Sequence, residues 1–246
     1  MTKCLLPLLL ACSGFADTWH PGDLTTYTQA SWGGDPAIDA GILLLDASYD
    51  TVYAASFGIV TVGSASGFTM SFTDTGSVQT YLPSIGPFAS LLGSVLNPIS
   101  TASGGFGGEV LGLKFNVDFS DAGLLPGASG IRFGDLVLTN FSPFLSPFNG
   151  LTVRQLLGDT NTLLGGGSSA FTIGDLGTIV QDVNASFGNG TPTAFAQAHL
   201  VAPAPVSTVP EPSSWILLLT GAPAMGLASR FRQRAPSRRS NATTLE

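Results

Sequence analysis

The chain has 246 residues, of which 44% are hydrophobic and only 10% are charged, and its formal net charge is −7. Between Asp17 and Pro210, fourteen acidic residues stand against three basic ones. This balance argues against a nucleic-acid-binding protein, because an acidic surface repels phosphates.

The first sixteen residues have the layout of a secretory signal. Lys3 precedes the apolar run "CLLPLLLA" at residues 4–11, and the small residues Gly14 and Ala16 follow. A basic start, a short apolar run and a small-residue cleavage site form the pattern that directs export through the Sec machinery. The sequence therefore predicts that residues 1–16 are a signal peptide, cleaved after Ala16, and that the remaining chain is exported.

Both cysteines of the chain, Cys4 and Cys12, lie in this leader. Cleavage after Ala16 would leave a chain without thiols, whose fold cannot depend on disulfides or on thiolate metal sites. One alternative stays open, because "LLAC" at residues 9–12 approximates a lipoprotein signal, in which Cys12 would become an acylated N-terminus.

Residues 17–200 are predicted to form a β-rich α+β domain with a sandwich-like first half. Short runs of aliphatic, aromatic and β-branched residues are separated by Gly/Ser and Asp-Thr-Gly turns. Strands that recur about every ten residues are typical of a sandwich or an irregular barrel. The candidate strands are residues 24–32, 42–45, 51–55, 59–62, 68–72 and 78–82.

The middle of the domain is predicted to hold a long loop and its strongest strand. Residues 83–108 contain three prolines and end in "GGFGG", which indicates a loop. In "EVLGLKFNVDFS", residues 109–120, apolar side chains mostly alternate, which predicts a strand. Residues 135–141 are predicted to pair with it.

The second half changes to helical spacing. Thr152 with Gln155, and Thr172 with Asp175, form cap patterns, and glycines at 165–167 and at Gly188 follow the apolar runs. We expect two amphipathic helices and a third, shorter one in "TAFAQAHL". Their predicted buried faces are Val153, Leu156, Leu157, Thr160 and Leu164 in the first, and Leu176, Ile179, Val180, Val183 and Phe187 in the second.

The C-terminal part of the chain has the features of a membrane-directed segment. Residues 201–209 are a proline-rich linker, and residues 215–228, "WILLLTGAPAMGLA", are uncharged and mostly apolar. We predict a single transmembrane helix at 215–228, of about 21 Å if fully helical. The arginines behind it would hold that end in the cytoplasm and leave the domain outside. These arginines are Arg230, Arg232, Arg234, Arg238 and Arg239.

The motif "VPEPSSW", the apolar segment and the arginine cluster together resemble the PEP-CTERM sorting signal of Gram-negative bacteria, here at residues 210–240. The resemblance assigns the motif to Pro210, Glu211 and Pro212. It implies that the helix holds the exported protein transiently in the inner membrane. It also implies that an exosortase-type protease then cuts near the motif and passes the protein to the cell surface or extracellular matrix.

No pattern of catalytic chemistry occurs in the sequence. It contains no nucleophile elbow, no His-Glu-x-x-His and no phosphate loop, and His20 and His199 lie outside any motif. We therefore expect no enzymatic activity, no catalytic residue and no metal ligand. Calcium is the one cofactor that acidic loops of an exported domain would suit. Its candidate ligands are Asp46 with Asp50, Asp118 with Asp121, and Asp159 with Asn161.

Together these patterns predict an exported cell-surface or extracellular-matrix protein of unknown molecular activity, in contact with extracellular polysaccharide. One alternative is a carbohydrate-binding or adhesive module, with an aromatic platform made of Tyr27, Trp32, Tyr49 and Tyr53. A second alternative is a secreted hydrolase, which requires two carboxylates that face one cleft.

Overall fold

Seven α-helices and five short strands make up the part of the chain that the computed structural model describes, residues 19–127 and 130–204. The helices are α1 (Gln29–Trp32), α2 (Ala40–Val52), α3 (Thr75–Tyr81), α4 (Gly105–Asp121), α5 (Val153–Leu164), α6 (Ile173–Asn184) and α7 (Ala194–His199). The strands are β1 (Val60–Gly63), β2 (Thr69–Phe72), β3 (Val95–Leu96), β4 (Val137–Leu138) and β5 (Leu200–Val201). The class is α+β, as the sequence predicts.

Helix α4 is the centre of the fold. Thirteen of its seventeen residues are buried, and it packs against α1, α5, α6 and β1. The prediction of a strand at residues 109–120 is therefore wrong, and so is the predicted loop at 83–108 where it reaches residues 105–108. A helix that is buried on nearly all sides has only a short polar stripe, here Lys114, Asp118 and Asp121, so its apolar residues satisfy the alternation of a strand as well as helical spacing.

Most of the other strands predicted in the first half are also wrong. Helix α2 includes residues 42–45, 51 and 52, and helix α3 includes most of residues 78–82. The carboxylate of Asp74 accepts a hydrogen bond from the Ser77 backbone at 2.8 Å, and this cap starts α3 where the sequence suggested a turn. Residues 24–32 contain one isolated bridge at Thr26 and then α1.

The sheets are small. Strand β2 pairs antiparallel with β1, with Val60 opposite Phe72, and parallel with β3 on its other side. The strands β1 and β2 confirm the predictions at 59–62 and 68–72. In the second sheet β4 pairs with β5 and not with residues 109–120. The predicted sandwich is not confirmed, since the described strands form one three-stranded and one two-stranded sheet.

The helical second half agrees with the sequence. Thr152 and Gln155 form a reciprocal capping box at the start of α5, and Thr172 caps α6 through the Asp175 backbone. Every residue predicted to lie on the two buried faces is buried. The third helix is α7. The cap and burial patterns were sufficient here because both helices are amphipathic, with one exposed side.

The two ends of the described fold lie together. The indole N–H of Trp19 donates a hydrogen bond to the Leu200 carbonyl at 2.9 Å, and the Thr26 backbone N–H donates to the Phe187 carbonyl at 3.2 Å. Strand β5 includes Val201, the first residue of the predicted linker. The chain therefore enters and leaves the fold on one side.

The predicted export and sorting signals lie outside the described residues. They are the signal peptide at 1–16 and the sorting signal at 210–240 with its helix at 215–228, and residues 205–209 of the linker also lie there. Among the residues that are described, no helix is long and apolar enough to cross a membrane. The sorting residues outside the described part are Ala16, Pro210, Glu211, Pro212, Arg230, Arg232, Arg234, Arg238 and Arg239.

Two glycines test how tightly α4 is packed. A Cβ at Gly108, in the first turns of α4, would overlap Gln29 Oε1 and lie 3.0 Å from Ser84 Cβ. We expect Gly108→Ala to lower the free energy of unfolding by about 1 to 3 kcal/mol, because the packed side chains cannot move away without strain. Urea denaturation measures this change.

The matched control is Gly158→Ala in α5, where a Cβ would meet nothing within 4 Å. This change should raise the free energy of unfolding by about 0.5 to 1 kcal/mol, because alanine favours the helix. Equal effects at both glycines would contradict the close packing of α4.

Candidate functional site

A chain of polar side chains joins α1, α4 and α6; we call it the polar ladder, and it consists of the half-buried Gln29 and the buried Glu109, Asn116 and Asn184. At its centre, Glu109 is 4% exposed. Its Oε1 accepts a hydrogen bond from Gln29 Nε2 at 2.7 Å, and its Oε2 accepts one from Asn184 Nδ2 at 2.9 Å. A buried carboxylate is costly unless it is hydrogen-bonded in this way.

Backbone groups fix the direction of the two amides that contact Glu109. Gln29 Oε1 accepts from the Ser84 backbone N–H at 3.0 Å, so Gln29 Nε2 must point at the carboxylate. Asn184 Nδ2 also donates to the Glu109 backbone carbonyl at 3.0 Å, which fixes Asn184 in the same way. Both oxygens of Glu109 therefore face N–H donors.

Through Asn116 the ladder also reaches Tyr27, two residues before α1 begins. The Tyr27 backbone donates to Asn116 Oδ1 at 2.9 Å and accepts from Asn116 Nδ2 at 2.8 Å. Asn116 Nδ2 also donates to Asn184 Oδ1 at 3.1 Å. Because each amide is oriented by a backbone group, these bonds can form in only one arrangement, which sets the position of α1 against α4 and α6.

Burial raises the pKa of Glu109, and the hydrogen bonds from Asn184 and Gln29 act in the opposite direction. Among the described residues, no lysine or arginine forms an ion pair with this carboxylate. Its charge is therefore balanced by amide dipoles alone. An apolar residue at position 109 would cost less free energy on folding. A buried carboxylate without an ion pair therefore points to a role in function or in fold specificity.

A cleft opens beside the ladder, between α1, the start of α2 and the end of α6. Its volume is about 320 Å³. Asn184 forms part of its wall, so the ladder supports the cleft from behind. The lining residues are Thr26, Tyr27, Thr28, Ser31, Ile38, Asp39, Ala40, Asn184, Ala185, Gly188 and Asn189.

The oxygens of the cleft are held in place by backbone donors. Thr28 Oγ1 accepts from the Ser31 backbone at 3.3 Å, and Ser31 Oγ accepts from the Gly41 backbone at 3.2 Å. Asp39 Oδ2 accepts from the Asp35 backbone at 2.9 Å. A hydroxyl that accepts one bond can still donate its proton, and a carboxylate has further acceptor positions. This lining suits an uncharged ligand with many hydroxyl groups.

A second, shallower hollow of about 480 Å³ lies where α2 meets the end of α4. Asp118 and Asp121 both line it, three residues apart on one face of α4. Asp118 Oδ2 accepts from Tyr53 Oη at 2.9 Å and from Lys114 Nζ. These are the two carboxylates at one depression that the hydrolase alternative requires.

Charged partners occupy both of these carboxylates. Arg154 donates to the two oxygens of Asp121 at 2.7 and 2.8 Å, and to Asp135 at 3.2 Å. The oxygens that would give or receive a proton thus already accept hydrogen bonds from Lys114 and Arg154. The arrangement ties α4 to α2 and α5, and offers no free carboxyl pair for acid–base chemistry.

The predicted aromatic platform is absent from the described surface. Tyr27, Trp32, Tyr49 and Tyr53 are all buried. Trp32 lies between the rings of Tyr27 and Phe115, with centroids 5.2 and 5.3 Å away. These rings pack the core and cannot stack on an external sugar.

Apart from Asp118 and Asp121, which line the second hollow, the candidate calcium ligands and the histidines make separate contacts in the described residues. Gln79 donates to Asp46 at 3.4 Å, and Asn161 Oδ1 accepts from the Gly63 backbone at 2.7 Å. His199 stacks on Phe141 with ring centroids 4.3 Å apart. In residues 19–127 and 130–204, no group of three or more His, Cys, Asp or Glu side chains is placed to hold a metal.

Sequence reasoning missed Glu109, Asn116 and their amide partners, because residues 109–120 were taken for a strand. One signal was present. Glu109, Gly112 and Asn116 recur at helical spacing inside an otherwise apolar run. In a strand Asn116 would lie on the face opposite Glu109, whereas in a helix all three share one face.

No family model, no curated protein and no solved structure matches this chain. The assignment of function therefore depends on the residues of the chain itself.

The raised pKa of Glu109 predicts a pH dependence of stability. In the unfolded chain this carboxyl titrates near its ordinary value of about 4.3. Between that value and its higher folded pKa, the folded protein binds the proton more tightly than the unfolded chain does. The contribution of Glu109 to the free energy of unfolding should therefore be largest below about pH 4.3 and should fall as the pH rises through its folded pKa.

The contribution of Glu109 is isolated by comparison with Glu109→Gln, which stays neutral. Glutamine presents an N–H to one of the two amide donors, so this variant is less stable at every pH. Urea denaturation over a pH series should show the advantage of the wild type shrinking as the pH rises. A gap that stays constant or widens would contradict the assignment.

Proposed function

We propose that this protein is an exported cell-surface or extracellular-matrix protein, sorted through a C-terminal signal of the PEP-CTERM type. The observation that carries the proposal is the order of three features within residues 210–240: the Pro-Glu-Pro motif, an uncharged apolar segment and five arginines. Each feature alone is common. Their combination matches the requirements of a membrane stop with one end kept in the cytoplasm.

The described domain supports this proposal through its chemistry. It has no cysteine, and it is built around a buried core that includes Phe106, Phe115 and Phe119 of α4. A fold of this kind needs neither disulfide formation nor a reducing compartment. Its excess of carboxylates also keeps it from adhering to anionic polymers.

The proposed sorting sequence has three steps. The signal peptide directs the chain to the Sec machinery, the segment at 215–228 stops transfer in the inner membrane, and a protease of the exosortase type cuts near Glu211. Residues 202–209 separate the motif from β5 along the chain. The released domain then remains at the cell surface or in the polysaccharide matrix.

The test is the intact mass and location of the protein from fractionated host cells. We expect a species that begins at Asp17, ends near Glu211 and is recovered from the outer surface or matrix. Replacing the motif by Pro210→Ala, Glu211→Ala and Pro212→Ala should leave the full C-terminus attached and the protein in the inner membrane, because the protease has lost its recognition sequence.

The matched control carries Pro203→Ala and Pro205→Ala, which remove prolines from the linker and leave the motif intact. This control should be processed like the wild type. A wild-type protein that keeps Arg230 to Arg239 in the inner membrane would instead show a permanent anchor and would overturn the sorting proposal.

The cleft between α1, α2 and α6 favours one further candidate function, the binding of neutral carbohydrate. Its lining combines hydroxyl, amide and carboxylate groups with the exposed apolar side chain of Ile38, as a sugar ring requires. A carboxylate binds sugar hydroxyls more strongly than an amide does. This candidate is compatible with a location in the matrix.

We expect oligosaccharides released from the host's own extracellular polysaccharide to bind the protein in titration calorimetry. Asp39→Asn should weaken this binding about fivefold, a loss of about 1 kcal/mol, because a charged acceptor is replaced by a neutral one. The matched control is Asp50→Asn, an exposed carboxylate that does not line the cleft. Equal affinities of the two variants would exclude the cleft as the binding site.

A further inference from the structure

One long part of the acidic domain is free of charge. Residues 75–108 contain no Asp, Glu, Lys, Arg or His over thirty-four consecutive positions. The described residues outside this run hold thirteen carboxylates and three cations, a net charge of about −10 at neutral pH. The uncharged run is therefore a discontinuity in the surface, and neither the cleft nor the polar ladder accounts for its exposed part.

Large apolar side chains are exposed in this run. Leu92 is 83% exposed, Leu96 63% and Ile99 75%, and Val95 is also exposed. We call these four residues the apolar edge, since they surround β3. Scattered exposed aliphatic residues are ordinary, whereas four within eight positions of an uncharged segment mark an interaction surface.

Strand β3 lies at the end of its sheet. The order is β1, β2, β3, and within the described residues β3 pairs only with β2, with Met70 opposite Val95 and Ser71 opposite Leu96. Its outer side therefore presents backbone groups without a strand partner. Edge strands are normally protected by charged side chains, by proline or by their short length, and β3 has only two residues. Pro98 limits the length of this edge, but no charge protects it.

The inner side of the edge is firmly attached to the sheet. The Asn97 backbone donates to the Ser71 carbonyl at 2.8 Å, and Asn97 Oδ1 accepts from the Thr73 backbone at 3.0 Å. Ser94 Oγ accepts from the Thr69 backbone at 3.1 Å. The strand is thus held extended before any partner binds, which lowers the entropic cost of pairing.

We infer that the apolar edge binds a second copy of this chain, with the two β3 strands paired antiparallel about a two-fold axis. The two three-stranded sheets then form one continuous six-stranded sheet. This pairing satisfies the outer backbone groups of β3 and removes Leu92, Leu96 and Ile99 from water. It goes beyond the proposed sorting and carbohydrate binding.

Charge selects this occupant. Two copies of a domain with an excess of about ten negative charges repel each other unless they meet where neither carries a charge, and the apolar edge is such a place. A lipid surface fits less well. Hydrocarbon cannot pair the exposed backbone of β3, and the uncharged run has no lysine or arginine for anionic head groups.

The test is cysteine crosslinking of the full chain in intact cells. Because β3 has two residues, position 96 of each copy lies within a few residues of the two-fold axis. Leu96→Cys should give a crosslinked dimer with a short bismaleimide. The matched control is Phe144→Cys, since Phe144 is 96% exposed but lies far along the chain from the edge. It should give no more dimer than the parent chain.

A second substitution, tested in the same cells, distinguishes stable pairing of the two β3 strands from crosslinking by random collision. Adding Leu92→Glu to Leu96→Cys places two like charges at the interface and should abolish the dimer, whereas adding Phe144→Glu should leave it. The inference is overturned if Leu96→Cys crosslinks no more than Phe144→Cys. It is also overturned if the dimer persists with Leu92→Glu, which would show crosslinking through transient encounters or through another surface.

Discussion

The fold depends on the burial of helix α4 together with one carboxylate. Apolar burial alone is non-directional and would allow α1 and α6 several positions around α4. The hydrogen bonds of Glu109 and Asn116 remove that freedom, because each amide partner is oriented by a backbone group. The position of α1 against α6 follows from this, and with it the shape of the cleft between them.

The distribution of charge divides the surface into an acidic part and an uncharged part, residues 75–108. Lys114 and Arg154 are both used to neutralise carboxylates near the end of α4, so these cations act within the fold. The remaining carboxylates keep the surface acidic, except in the uncharged run that ends in α4. The excess negative charge of the described residues therefore lies outside residues 75–108.

The sequence predicted the amphipathic elements and failed at the buried ones. Helices α5 and α6 have one solvent-exposed side and recognisable caps at Thr152 and Thr172, so their periodicity and their starts were both visible. Helix α4 is buried on nearly all sides and is only partly exposed near its end, and its glycines at 105, 107, 108 and 112 lower its helix propensity. The site was missed as well, because the ladder joins residues that lie 68 to 80 positions apart in the chain.

The bond between Trp19 and Leu200 has a consequence for the timing of folding. A chain that leaves a channel from its N-terminus exposes Trp19 first, but its partner appears 181 residues later. The Thr26 backbone N–H likewise has its partner, the Phe187 carbonyl, near the other end of the domain. Contacts of such long range slow folding, and the first helices cannot complete their packing until nearly the whole domain has emerged. The domain therefore completes its packing only when nearly the whole of residues 19–204 is available.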